Sequence, residues 1–247
     1  MKSCRSKAGV CAFAAILVVL LTGLAAGAQA LSVLPVNIFL SPGQSATTLT
    51  ITNQGNSKTA VQIRAYAWNQ KEDEDQLTRS DAVVVSPPIA SIEAGASQVV
   101  RLILRLPPLS GDREMTYRLL VDQIPPPAEP GIVHVVLRLS IPIFALPTTR
   151  AVSNVQFHVE VKEGQLNLVG INDGRRHDAI RDIELARRDG SKLIAAPGLS
   201  PYILAGSTRR WSITTQGPPP VPGETLRLTG HSVSSAIEEQ VSVTFAP

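Results

Sequence analysis

The residues able to carry chemistry in this chain are few and poorly spaced for it. His134, His158, His177 and His231 are scattered; none forms an H-E-x-x-H pair or another zinc-ligand spacing, so no metal site is read from them. Glu72-Asp73-Glu74-Asp75 is a set of hard oxygens of the kind calcium prefers. It lacks the glycine and the spaced ligands of a calcium loop, and reads as the solvated tip of a hairpin. Arg175-Arg176-His177-Asp178, after the Asn172-Asp173-Gly174 turn, reads as an exposed hairpin rather than an anion site. Trp68, at the end of an expected strand, reads as a core or rim aromatic rather than a ligand platform. No G-x-S-x-G elbow and no Walker A loop occurs. No catalytic residue, nucleotide or cofactor is therefore assigned.

What remains is the chemistry of the backbone, and the elements that would present it. Lys2, Arg5 and Lys7 precede an apolar run over residues 8–24 that ends in small residues and an Ala28-Gln29-Ala30 cleavage pattern. Residues 1–30 read as a cleaved signal peptide, with the exported chain beginning near Leu31; a membrane anchor is the alternative, disfavoured because the apolar run has no charged flank on its far side. That segment carries three of the 23 Lys and Arg residues and none of the 20 Asp and Glu, so the rest of the chain is formally neutral and the case for a nucleic-acid partner disappears. Cys4 and Cys11 leave with it, so neither a disulfide nor a thiol nucleophile is expected.

The remaining length suits two domains, 31–146 and 147–247, joined at Leu146-Pro147-Thr148-Thr149 by a linker too short to let them wander. Short alternating or β-branched runs, separated by Gly, Pro, Asn and Ser clusters, predict an all-β chain. Strands are expected at 32–40, 45–53, 60–68, 82–86, 98–104, 117–124 and 132–144, a count and spacing that fit an immunoglobulin-like sandwich. A second series is expected at 152–161, 165–171, 181–185, 209–214, 225–230 and 238–245. Two sandwiches at a nearly fixed angle make a boomerang with a cleft between them. The strand over 132–144 is more than twice the usual length and is expected to run past its own domain and offer an edge. Val133, Val135, Leu137, Leu139 and Ile141 form its apolar row; Ile132, His134, Val136, Arg138 and Ser140 form a mixed, partly exposed one.

Three blocks resemble the PapD-like periplasmic pilus chaperones. Ser86-Pro87-Pro88-Ile89-Ala90-Ser91-Ile92-Glu93-Ala94-Gly95 leads into Gln98-Val99-Val100-Arg101-Leu102. Asp112-Arg113-Glu114-Met115-Thr116-Tyr117-Arg118-Leu119 closes on Gln123-Ile124-Pro125-Pro126. The third block is the long strand ending Ser140-Ile141-Pro142-Ile143-Phe144. Asn172-Asp173-Gly174 and Tyr202-Ile203-Leu204-Ala205-Gly206-Ser207-Thr208 make the chain most similar to the spore-coat or Csu-type branch.

The resemblance implies a periplasmic, non-enzymatic chaperone for pilus or fimbrial subunits, which are sandwiches lacking their last strand. The chaperone's long edge strand would fill the groove by strand addition, with Val133, Val135 and Leu137 as donor residues and Leu139 as an extension. It also implies delivery to an outer-membrane usher, and self-association of free molecules through exposed edges. The family anchors the subunit's terminal carboxylate with an Arg on the first strand and a Lys near the end of the long one. Those places hold Asn37 and Pro142 here. Arg118, on a strand expected to neighbour the long one, is the replacement candidate; the alternative reading is a rim charge. The rival function is a structural pilin or adhesin, which would carry a free N-terminal extension of alternating apolar residues and lack its seventh strand. Here the N-terminal residues pass almost at once into strand pattern, and the seventh strand is present.

Overall fold

The computed structural model describes residues 31–105, 112–127, 130–131, 134–162, 164–195, 201–215 and 217–245. The expected signal, 1–30, and Ile132 and Val133 of the expected long strand lie outside them. Every regular element among the described residues is a β-strand. The first ten are β1 (Leu31–Leu34), β2 (Ile38–Leu40), β3 (Ala46–Asn53), β4 (Thr59–Lys71), β5 (Glu74–Arg79), β6 (Val83–Ser86), β7 (Ile89–Ile92), β8 (Ser97–Leu104), β9 (Met115–Ile124) and β10 (Arg138–Ala145). The other nine are β11 (Val155–Lys162), β12 (Gln165–Asn172), β13 (Asp178–Ala179), β14 (Arg181–Ala186), β15 (Lys192–Ala195), β16 (Tyr202–Ile203), β17 (Ser207–Thr215), β18 (Thr225–His231) and β19 (Ala236–Phe245).

β1 to β10 make two layers. One sheet runs β1-β3-β8-β6, the other β2-β10-β9-β4-β5, with β7 also on β4. Period-two alternation turns Leu49 and Ile51 of β3, Val61 and Ile63 of β4, Val100 and Leu102 of β8, Leu119 and Val121 of β9 and Ile141 and Ile143 of β10 into one core between the layers. The expected first strand, 32–40, is two strands in different sheets. β1 pairs with β3, and β2 pairs with β10 in parallel. Pro35, which has no N–H to give a ladder, stands at the break.

β5 is not among the expected strands: Glu-Asp-Gln-Leu-Thr-Arg has no apolar alternation, and all six residues are exposed. It is an edge strand, and among the described residues its ladder partner is β4. The expected strand 132–144 is shorter than proposed: ladder pairing with β9 begins at Arg138. Residues 134–137 lead into it, fastened by a hydrogen bond from the Gln123 N–H to the Leu137 carbonyl, 2.9 Å.

In the second series β11, β12, β17, β15, β14, β18 and β19 pair in a closed ring, completed by parallel pairing of β19 with β11. Its core includes Val159, Leu168, Leu185, Trp211, Leu226 and Val243. One device recurs in both halves. The Asn53 side chain donates to the carbonyls of Ser57, Ile92 and Glu93 and accepts from the Gly55 N–H; the Asn172 side chain donates to those of Arg176 and Ile203 and accepts from the Gly174 N–H. Each buried amide ties off carbonyls that a turning chain leaves unpaired. Gly174 cannot be replaced cheaply, since an added Cβ would lie 2.5 Å from the Val152 carbonyl oxygen and the Asn154 nitrogen.

Candidate functional site

β10 is covered on one side by β9 along its whole length, Arg138 opposite Asp122 through Ala145 opposite Met115. On its other side β2 pairs only at Ile143, Phe144 and Ala145. Among the described residues no strand pairs with that side from Arg138 to Pro142. Five residues of β10 thus offer a sheet edge of the kind an added strand extends.

The expected donor residues lie on or before this edge in unequal states. Val135 is 82 % exposed, with the apolar Val136 beside it also exposed. Leu137 is half-buried, and Leu139 packs against the first core. Val133 lies outside the described residues. The start of β10 is fastened across the sheet. Asp122 on β9 receives Arg64 of β4 at 2.5 Å and also binds Arg138. Burial alone would raise the Asp122 pKa, but the two arginine hydrogen bonds and charges outweigh it and hold the carboxyl below its ordinary range.

The far end of the open edge meets the second unit. Trp68 and Phe144 fall out of phase with the inward rows of β4 and β10, so they face away from the first core; yet they are 2 % and 0 % exposed. What buries them is Leu204 and Tyr202. His177 adds to the seam, its ring 3.6 Å from that of Phe144 and nearly parallel. It is buried, and both its backbone N–H and its Nδ1 lie within hydrogen-bond reach of Glu114 Oε2, at 2.9 and 2.6 Å. The segment 175–178 is therefore not an exposed hairpin: His177 and Asp178 are buried, and 177 is a joint between the two halves. Trp68 likewise belongs to the seam rather than to the core or rim of one sandwich.

Beside the open edge lies a cavity of about 540 Å³ lined by Asp73, Glu74, Asp75, Leu77, Arg118, Ser140 and Arg209. Arg118 sits directly opposite Pro142 in the ladder, the position where the resemblance expects a lysine. Its guanidinium lies 3.6 Å over the Trp68 ring and 3.6 Å from Asp75. Burial pulls the Arg118 pKa down, the Asp75 charge opposes this, and Arg209 adds to the lowering. Arg118 is only 8 % exposed, in the wall of this cavity. Asn37 is level with Pro142 by the parallel register of β2 and β10. Its side-chain oxygen accepts from the Tyr202 hydroxyl at 3.0 Å, which ties it to the seam.

The acidic stretch forms a hairpin turn, as expected, but its tip is not merely solvated. Asp73 and Asp75 pair with Arg210 and Arg209 of β17. Sequence reasoning missed these arginines and Gln70, whose side-chain amide bonds the backbone of Tyr202 and Leu204 across the seam. The usable signal was Trp68, an aromatic placed against the alternation of its strand. Among the described residues no group of acidic, histidine or cysteine side chains is arranged to hold a metal.

Residues 30–151 match the family described as pili and flagellar-assembly chaperone, PapD N-terminal domain. The first sandwich is a PapD-type chaperone domain. Two curated relatives are similar to the chain. The chaperone protein FimB/FhaD of Bordetella pertussis is 31 % identical over 146 residues, 56 % of each chain. The uncharacterized fimbrial chaperone YbgP of Escherichia coli is 31 % identical over 107 residues, 42 % of each. The chain thus spans about half the length of the curated relatives it matches.

Among solved structures, a chain of the CsuC–CsuE chaperone–tip adhesion subunit pre-assembly complex, from archaic chaperone-usher Csu pili of Acinetobacter baumannii, superposes with a TM-score of 0.64 at 23 % identity, covering 88 % of this chain and 100 % of that one. The YadV chaperone superposes at 0.61 and 16 % identity, covering 86 % and 98 %. At such identities the likeness establishes the fold, two immunoglobulin-like β-sandwiches, with the PapD-type domain as the first.

Proposed function

We propose that this protein is a periplasmic chaperone that binds pilus or fimbrial subunits by strand addition and passes them on for assembly. The observation that carries the reading is the open side of β10 from Arg138 to Pro142, continued by the exposed Val135 and ending at the cleft. A subunit lacking its last strand would pair its backbone with this edge, and Val133, Val135 and Leu137, extended by Leu139, would enter its groove. Backbone pairing makes the affinity tolerant of guest sequence, and alternate side chains set the register. Arg118 is proposed as the charged group of the cleft that meets a subunit's terminal carboxylate, with Asn37 as a neutral neighbour at the same level.

The domains doing this work are proposed as 31–146 and 147–247, with 1–30 as the export signal. The protein would act without catalysis, hand its guest to an outer-membrane usher, and pair with itself through the same edges when free. Co-expression with candidate pilus subunits, followed by co-purification from periplasmic extract without added nucleotide or metal, tests the reading. Recovery of a one-to-one complex is the expected outcome. Failure of every structurally incomplete subunit to co-purify with a folded chain would refute it.

A further inference from the structure

The hairpin of β4 and β5 reaches beyond the sheet that builds it. β5 buries nothing of its own, so the first core does not explain where its tip sits. The turn is tight: Glu72 and Asp73 take φ of 54° and 68°, the left-handed pair of a two-residue hairpin. The second domain holds this tip at several points. The Asp73 carboxylate accepts from Arg210 Nη1 at 3.1 and 2.9 Å, and Arg210 Nε donates to Glu160 at 2.7 Å. The Asp73 carbonyl accepts from Arg209 Nη1 at 3.0 Å. One turn-length back, the Gln70 side-chain amide donates to the Tyr202 carbonyl and accepts from the Leu204 N–H, both at 2.9 Å. Hydrogen bonds to Glu160 and Asp73 raise the Arg210 pKa against the opposing effect of burial.

We infer that this hairpin is an interdomain clamp, and that Asp73 and Arg210 are positioning residues for strand capture. They are placed on the flank of the cleft and hold the second domain at the angle that keeps the cavity beside the open edge of β10. Glu114 and His177 join the same two domains at a second place, so the clamp adds to a seam that is fastened elsewhere as well. The functional half of the inference rests on the strand-capture reading; the mechanical half does not.

The test uses the exported chain, which holds no cysteine after Leu31, with spin labels at Asn56→Cys and Gln240→Cys, one exposed position in each domain. Asp73→Asn keeps a residue that tolerates the left-handed turn while removing the charge; Arg210→Gln removes the partner. The parent should give one narrow interdomain distance by pulsed electron spin resonance. Each variant should broaden it and lower subunit co-purification at least fivefold, and the double variant should lose no more than either single one. A distribution that stays narrow in both variants overturns the clamp. A broadened distribution with capture at the parent level overturns the positioning role. A parent that retains no subunit sinks strand capture and the positioning role with it, while the distance measurement still decides the clamp.

Discussion

Val135→Asp separates strand capture from folding more cleanly than any other change at the edge. Val135 is 82 % exposed and precedes the ladder, so the substitution should alter the stability of the free protein by no more than about 0.5 kcal/mol, as at other unengaged surface positions. The same exposure means that nearly all of the valine's burial energy, about 1.5 kcal/mol or more, is still available to a guest. The aspartate forfeits that gain and adds the cost of burying an unpaired charge or of protonating it, on the order of 2 kcal/mol or more. A total loss of roughly 3.5 kcal/mol corresponds to a several-hundredfold weaker complex.

The assay is co-purification of a co-expressed subunit, read beside thermal unfolding of the purified variant. His134→Asp, also exposed and on the alternate row, is the control and should retain the subunit. Arg138→Asp is unsuitable, because Arg138 binds Asp122 and the change would set two carboxylates together. Leu139 is unsuitable for a different reason: it packs on the core. A Val135→Asp protein that unfolds at the parent temperature and still holds subunits as the parent does would refute the donor face.

Three further outcomes are expected. The Asp122 carboxyl is held below its unfolded pKa, so its contribution is present above the ordinary carboxylate range and lost as pH falls through the depressed value; Asp122→Asn should cost about 1 kcal/mol at pH 7, given a half-buried Arg64 and an exposed Arg138 as partners, and should flatten the acid limb of a stability–pH curve. Gly170→Ala would place a Cβ 2.8 Å from Ile203 Cδ1, 3.0 Å from Phe157 and 3.1 Å from Trp211, and should destabilise the second domain by about 1–3 kcal/mol in chemical denaturation. Intact-mass measurement of periplasmic material should give a chain starting at or near Leu31; full-length protein in the inner membrane would contradict export by cleavage.

Much of the fold was legible because a sandwich writes itself in period two. Val61 and Ile63, Leu119 and Val121, and Ile141 and Ile143 had to face one way once their runs were strands, and the Pro and Gly clusters had to lie between them. Elements too polar or too short to show an apolar alternation were not legible. β5 carries six exposed residues and exists because β4 offers it a ladder, and the two-residue β13 and β16 exist because they pair with each other. Even the length of the last strand of the first sandwich was overread, since an apolar run marks what can pair and not where a neighbour ends.

Local order therefore determined most of the strands and the paired-proline and glycine turns between them. Tertiary structure decided the seam. Trp68 and Phe144 break the alternation of their strands and are buried only because a second domain covers them. Asp73 and Asp75 looked like a solvated tip because their partners, Arg210 and Arg209, stand more than 130 residues away in the chain. Arg118 gains its place over Trp68 only from the register of three neighbouring strands. Alternation is a property of a strand and its own sheet, whereas charge pairing and burial across a cleft depend on which distant surfaces the folded chain brings together.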